Sequence, residues 1–395
     1  MRRQPPIGPV TGVAVLADDL TSAGDGAAPF RRAGHRATVL LAEAVEPGTA
    51  ARDGVVAVDL GSRLLDEASA VALAGRFAEA FADSELLIKT VDSTLRGHVA
   101  AEIRAAHAGS GRRAVVVAPA FPAEGRTTLR GIQHVHGVPV HETDFARDPA
   151  HPVRTADLAR LLPDADILEP DCFGKLPERI DGGGVFVCSA ATDAELGLLV
   201  SSVPRPGDVL WVGSPGLAAA LAGHHTRTPA AFPLEPPRAR RPLIVVGSAH
   251  PATRRQLDRL RTRVDVGAAE AFDGPEEALA ALRGSSAPVL AVHTPDTRRT
   301  AAGSLAGDLA AVVRELVADG LVDGLVLTGG ETAVAALEAL GGSGLDLADE
   351  PEPGVARGVL LSPPQLPVLI KAGGFGDDGT LDRLCRLLME SGPTS

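Results

Sequence analysis

Short apolar runs of strand length recur along this chain, each followed by a polar turn and then by apolar residues at helical spacing. Residues 12–17, 37–41 and 54–60 are the first such runs; 86–88, 114–118, 166–168, 184–187 and 208–213 continue the rhythm. A run that is apolar at every position suits a strand covered on both faces, as in a parallel sheet. Between these runs, 26–33, 68–82, 100–106, 193–200 and 218–222 read as helices. The pattern breaks over 223–242, where prolines and the basic stretch Arg238-Ala239-Arg240-Arg241 replace it, and that change reads as a solvated interdomain linker. It resumes with strands at 243–246, 287–292, 324–327 and 366–370 and helices at 254–260, 303–318 and 333–340. Alternation at this pitch predicts parallel sheets with right-handed crossovers. The predicted fold is α/β with two domains, 1–228 and 243–395, joined by a linker at 229–242. Each holds a mostly parallel sheet flanked by helices, with the active site in the interdomain cleft. A chain of 395 residues is also longer than one core usually serves.

In open sheets of this class, ligands bind beyond the carboxyl ends of the strands. The polar residues that end each run are therefore the candidates for chemistry. After 86–88 comes Lys89-Thr90-Val91-Asp92-Ser93-Thr94-Leu95-Arg96-Gly97, which packs an ammonium, a carboxylate, hydroxyls and a guanidinium into one loop. A small hydroxylated anion suits it, with Arg96 forked onto a carboxylate and Asp92 and Ser93 on hydroxyls. After the first strand come Asp18 and Asp19, with Asp25 further on. Asp19 (or Asp18) is the candidate base for a substrate hydroxyl, and Lys89 and Arg96 complete the catalytic set. After 114–118 the stretch 119–128 reads as a rigid proline-glycine loop, with Arg126 as a further anion contact. The next segment carries His134, His136 and His141 without a carboxylate at metal-ligand spacing. It reads as a strand pair through Val135, Val138 and Val140, so no metal-binding residue is assigned. The loop 144–152, with Arg147 and Asp148, is a candidate wall of the same site.

The second half carries glycines where the first carries charges. The run 324–327 leads into Thr328-Gly329-Gly330-Glu331-Thr332, and a helix follows. Bare glycines admit a close backbone approach, and the free amides of a helix start favour an anion. No Gly-Lys-Ser or Gly-Lys-Thr is present, so this is not a Walker loop. Lys371-Ala372-Gly373-Gly374 follows the next run in the same manner, and Gly247-Ser248 follows 243–246. Three such loops in one domain suit ATP, and Mg²⁺ would arrive with the nucleotide, keeping its waters and borrowing one or two carboxylates.

Composition narrows the partners. With 38 Lys plus Arg against 50 Asp plus Glu, the formal net charge is −12, which disfavours nucleic acid and anionic membranes. One tryptophan and no tyrosine leave little for a base-stacking platform. Cys172, Cys188 and Cys385 are too scattered for a disulfide framework or a zinc site. No signal-peptide core and no run of membrane-spanning length stand out, so a cytoplasmic protein is expected. Self-association into a homo-oligomer is left open.

The motifs together resemble one family. Ala17-Asp18-Asp19-Leu20-Thr21 with Asp25, Lys89 with Asp92–Gly97, Pro119–Pro122 with Gly125-Arg126, Gly247-Ser248, Thr328–Ala333, Pro353-Gly354-Val355 and Lys371–Gly376 fall in the order found in the four-carbon acid sugar kinases. The resemblance implies ATP-dependent phosphorylation of a hydroxyl, the 4-OH in this reading, of 3-oxo-tetronate, threonate or erythronate. It implies sugar acid on the amino-terminal domain and nucleotide on the carboxy-terminal one, with contacts at Ser248, Gly329, Gly330, Glu331, Thr332 and Gly373 or Gly374. His98, Ala356, Glu331 and Lys371-Ala372-Gly373-Gly374 depart from the usual pattern. The rival expectation is a non-catalytic, kinase-like metabolite-binding protein.

Overall fold

The computed structural model describes residues 12–45, 54–148, 150–226, 235–248, 250–295 and 304–390. The chain forms two compact units. Val39–Ala44 belongs with the carboxy-terminal one, and the division falls between Ala230 and Ala231. The predicted linker 229–242 lies outside the described residues as far as 234. From there on it is no loose tether. Ala239 is buried and its amide donates to Leu388 O at 2.8 Å; the amides of Arg240 and Arg241 both donate to Asp323 Oδ1 at 2.8 Å. Arg241 also reaches the carbonyls of Ala287 and Ser285. The basic stretch predicted as solvated linker is thus stitched to the carboxy-terminal unit, because the helix-end and loop carbonyls of that unit need donors.

Strands are β1 Val13–Ala17, β2 Ala37–Leu41, β3 Val55–Asp59, β4 Leu86–Thr90, β5 Ala114–Ala118, β6 Arg126–Leu129, β7 Ile132–Val135, β8 Val138–Pro139, β9 Ala165–Leu168, β10 Gly184–Cys188 and β11 Val209–Gly213. Helices in the same unit are α1 Leu20–Arg32, α2 Glu67–Ala80, α3 Val99–Ser110, α4 Leu158–Leu161, α5 Leu176–Asp181, α6 Asp193–Ser201 and α7 Pro215–His224. The main sheet of the unit runs β3-β1-β4-β11-β5-β10-β9, and every pair is parallel. β1, β4, β5 and β11 are buried at every position, which is why their sequences are continuously apolar until the last residues. β1 has β3 on one side and β4 on the other. The sheet therefore reverses its order at β1, where a doubly wound sheet opens a crevice.

The stretch predicted as a rigid loop over 119–128 holds a 3₁₀ turn, Pro122–Glu124, and then β6. β6, β7 and β8 form a small antiparallel sheet that lies outside the alternating pattern. The predicted strand pair through Val135 and Val138 is its second hairpin; Val140 falls in a 3₁₀ turn.

The carboxy-terminal unit contains β12 Pro242–Val246, β13 Val266–Glu270, β14 Val289–His293, β15 Gly324–Thr328, β16 Gly344–Glu352, β17 Val355–Leu360 and β18 Pro367–Lys371. Its helices are α8 Pro251–Arg263, α9 Glu276–Arg283, α10 Leu305–Ala318, α11 Gly330–Ala339 and α12 Thr380–Met389. Its strand order is β13-β14-β12-β15-β18-β17-β16. The first five are parallel, and β17 pairs antiparallel with both β18 and β16. The β16–β17 hairpin was not predicted, since Asp346, Asp349, Glu350 and Glu352 interrupt any apolar run. Its pairing and two register shifts absorb those residues instead. The order reverses at β12, which lies between β14 and β15. No described helix is long and apolar enough to cross a membrane.

Candidate active site

The amino-terminal unit gathers its charged residues where β1, β3 and β4 end. Asp19 caps α1: its Oδ1 accepts the amide of Ser22 at 2.7 Å and the hydroxyl of Thr21 at 3.1 Å. Asp18 precedes it and is 4% exposed. Arg63, from the 3₁₀ turn Ser62–Leu64 after β3, holds both. Its Nε and Nη2 fork onto Asp18 at 2.7 and 2.8 Å, its Nη1 binds Asp19 Oδ2, and its amide donates to Asp18 O. A bidentate guanidinium–carboxylate pair fixes orientation as well as charge. Burial pushes the Asp18 carboxyl upward, but Arg63, with help from Lys89, outweighs it and leaves the group below its ordinary range.

Asp59 ends β3 opposite Ala17 and is 3% exposed. Its Oδ1 accepts the amide of Gly61 at 2.8 Å. Burial, together with the negative charges of Asp19 and Asp18, pushes it up to about 7.

Lys89 is the penultimate residue of β4 and is 1% exposed. Its Nζ lies 2.8 Å from Glu102 Oε2 on α3 and 2.7 Å from Thr90 O, and Glu102 Oε1 accepts the Ser62 hydroxyl at 3.0 Å. Lys89 and Glu102 are thus a buried pair that reaches the residue beside Arg63. In the loop beyond, Asp92 Oδ2 accepts Arg96 Nε at 2.6 Å and the hydroxyl of Thr94. Arg96 Nη1 lies 3.5 Å from Asp148 Oδ2, and its guanidinium sits 5.4 Å from the centroid of the Phe145 ring. Burial would raise the Asp92 carboxyl, but Arg96 and Arg63 hold it well below the usual range.

Ser93 is half-buried, and its carbonyl accepts Gln133 Nε2 at 2.7 Å. Gln133, from β7, thereby ties the small sheet to this loop. Arg126 donates to Glu124 O at 2.6 Å, and its buried Nε finds no hydrogen-bond partner among the described residues. Burial lowers it from the usual range, and Asp92 and Arg96 both lie within its field. His98 binds Leu65 O at 2.7 Å and meets His151 edge-on at 5.1 Å. Asp25 is half-buried on α1.

The structure therefore brings Asp18, Asp19, Asp92 and Arg96 into one charged network, with Lys89 beneath it and Arg126 at its margin. Sequence reading missed Arg63, Asp59 and Glu102. Asp59 obeys the rule that singled out Asp18 and Lys89, a polar residue ending an apolar strand. Arg63 and Glu102 are two residues among many of their kind, and no local pattern marks them.

In the carboxy-terminal unit β12, β15 and β18 are neighbours and end at one level, with Val246 opposite Thr328 and Thr328 opposite Lys371. The three glycine loops follow them directly. A Cβ on Gly247 would lie 1.8 Å from Thr332 Oγ1, and one on Gly373 would lie 2.3 Å from Ser248 Oγ, so these loops pack through bare backbone. Gly329 caps α11 at φ 91°, in the region that favours glycine, and its amide donates to Lys371 O at 2.9 Å. Gly330 opens α11, Glu331 is exposed in its first turn and Thr332 is buried. Lys371 is fully buried, and its Nζ donates to Ala372 O at 2.8 Å and lies 3.3 Å from Gly373 O. Burial lowers the ammonium to about 8, against the pull of Glu352. Thr253 Oγ1 donates to Gly373 O at 2.7 Å, and Gly374 faces the His250 ring. Among the described residues no group of three or more His, Cys, Asp and Glu is placed to hold a metal ion.

The amino-terminal unit thus carries a charged cluster at its switch point, and the carboxy-terminal unit carries glycine loops at its own. Known domain families agree: a sugar-binding N-terminal domain matches residues 13–221, and a nucleotide-binding C-terminal domain matches 243–381. The chain is 37% identical to a D-threonate kinase of Bordetella bronchiseptica over 97% of this chain and 98% of the relative. It is 31% identical to a D-threonate kinase of Salmonella typhimurium (93% and 96%) and 32% identical to a 3-oxo-tetronate kinase of Methylobacterium radiotolerans (91% and 95%). The fold matches solved structures of a Salmonella typhimurium LT2 protein (20% identity, TM-score 0.79, covering 96% and 100%) and of Haemophilus influenzae HI1011 (19%, 0.72, 93% and 98%). The chain belongs to the four-carbon acid sugar kinase family, and it is a phosphotransferase with an alcohol group as acceptor.

Proposed function

We propose that this chain transfers the γ-phosphoryl group of ATP to a hydroxyl, the 4-OH, of a four-carbon sugar acid: 3-oxo-tetronate, threonate or erythronate. The observation that carries the reading is the meeting of Asp18, Asp19, Asp92 and Arg96 at the ends of adjacent strands of one sheet. Arg96 is the anchor for the substrate carboxylate, with Arg126 as a further cation. Asp92, Ser93 and Asp25 supply hydroxyl contacts. Asp19 is the base. Its oxygens already accept bonds from Ser22, Thr21 and Arg63, but a carboxylate offers about four lone-pair sites, which leaves room for a substrate hydroxyl. The hydroxyl oxygen forms a bond to the γ-phosphorus, the bond from that phosphorus to the ADP oxygen breaks, and the hydroxyl proton passes to Asp19.

Lys89 is too deeply buried to touch the acid, so its contribution is to fix Glu102 and, through it, the loop that presents Arg63. The amides of Ser248, Gly330 and Thr332 and the loop Lys371–Gly374 cradle the triphosphate, Gly329 gives it close access through bare backbone, and Lys371 holds that loop in shape. Mg²⁺, bound with the nucleotide, neutralises phosphate charge. Glu331, exposed in the first turn of α11, is the carboxylate in place to share it.

Incubation with Mg-ATP and each acid in turn, with ADP release followed, tests the reading. Turnover on at least one acid is expected. A folded chain that binds these acids and never releases ADP would instead be a metabolite-binding protein.

A further inference from the structure

We infer that Arg63 is a positioning residue for phosphoryl transfer: it holds the Asp18 and Asp19 carboxylates in the geometry from which Asp19 accepts the substrate proton. The inference rests on the kinase reading above. Its grounds are geometric. Among the described residues Arg63 is the one side chain that bonds to both aspartates, forked onto Asp18 at 2.7 and 2.8 Å while a third nitrogen meets Asp19, and its Nη2 also reaches Ser22 Oγ at 3.2 Å. Only 14% of its side chain is exposed, so the pairing is largely shielded from solvent.

Its own placement is doubly secured. Its amide donates to Asp18 O, and its neighbour Ser62, wholly buried, donates to Glu102, which pairs with Lys89. A chain of contacts therefore runs from β4 and α3 through the turn after β3 to the end of β1. Without Arg63, Asp18 and Asp19 would lose their shared cation beside Asp59 and Asp92, with Lys89 already committed to Glu102 and Arg96 to Asp92. Like charges so placed repel, and one or more would take up a proton or swing away. A base that is protonated or displaced by about 1 Å loses roughly a hundredfold in rate.

The test uses the full chain, ATP and whichever acid supports turnover, with Arg63→Ala and Arg63→Lys compared against the unmodified protein. Arg63→Ala is expected to lower kcat about 100-fold while KM for ATP stays unchanged, and added guanidinium ion should restore part of the loss. Arg63→Lys keeps the charge without the fork. It should fold if the alanine variant does not, retain intermediate kcat, and move the acid limb of the kcat profile to higher pH as Asp18 loses its bidentate partner. Unchanged kcat in Arg63→Ala overturns the inference. So does a loss that guanidinium cannot rescue, accompanied by an unmoved acid limb in Arg63→Lys. An unmodified protein that turns over none of the acids removes the kinase reading itself, and this inference with it.

Discussion

The two units furnish their strand ends in opposite ways on sheets of the same kind. In the amino-terminal unit charged side chains crowd the strand ends: Asp18 follows β1, Asp59 ends β3 and Lys89 is the penultimate residue of β4, and arginines from two loops pair with Asp18, Asp19 and Asp92. In the carboxy-terminal unit bare backbone takes their place. β12 and β15 run straight into glycines and β18 into Ala372-Gly373, and the cation that ends β18, Lys371, turns back onto its own loop carbonyls. The difference suits the guests proposed for each unit. A hydroxylated acid presents directional hydroxyls and one carboxylate, which call for opposed charges at fixed places. A triphosphate is a broad anion, and aligned amides at a helix start meet it with no side chain in the way. The same switch-point geometry therefore hosts either chemistry, depending on whether the residues after the strand have side chains.

Substitutions can break this contrast. The largest effect is expected from Arg96→Ala, since a charge-assisted contact is worth roughly 1.5–3 kcal/mol. KM for the sugar acid should rise about 10- to 100-fold, with KM for ATP unchanged in steady-state assays; equal rises in both would show that the two sites do not divide the ligands as argued. Next comes Gly247→Val, which must displace the buried Thr332. Overpacking of this kind costs about 1–3 kcal/mol. Calorimetry should show ATP affinity reduced and sugar-acid affinity intact, the mirror image of Arg96→Ala.

The smallest effect concerns Asp59, and its sign is set by pH. Because folding raises this carboxyl to about 7, its stabilising contribution is complete below about pH 4 and is lost as pH climbs through 7. Asn cannot ionise, so Asp59→Asn should raise Tm relative to the native chain above pH 7 and leave it nearly unchanged at pH 4. A uniform shift across that range would mean that packing, not charge, governs the site.

Legibility in the sequence follows the same division. The sheets were readable because strands buried on both faces must be apolar throughout, and the polar residues that stop them stand out at once: Asp18, Lys89, Thr328, Lys371. The small β6–β7–β8 sheet and the β16–β17 hairpin were hidden, since short antiparallel strands with one polar face carry no such run. The glycine loops announced themselves by composition. The amino-terminal network did so only in part, because its charge balance depends on residues distant in the chain.

The sequence by itself thus determined two α/β units, the strand ends that carry chemistry, and the residue types offered to each ligand, since burial patterning and glycine content are local properties. Only the tertiary structure decided that Arg63 clamps Asp18 and Asp19, that Lys89 spends its charge on Glu102, and that Lys371 faces its own loop. Partners 45, 44, 13 and one or two residues away in sequence are equally silent in it. Which oppositely charged groups meet in a low-dielectric interior is fixed by packing, and packing is a property of the folded chain alone.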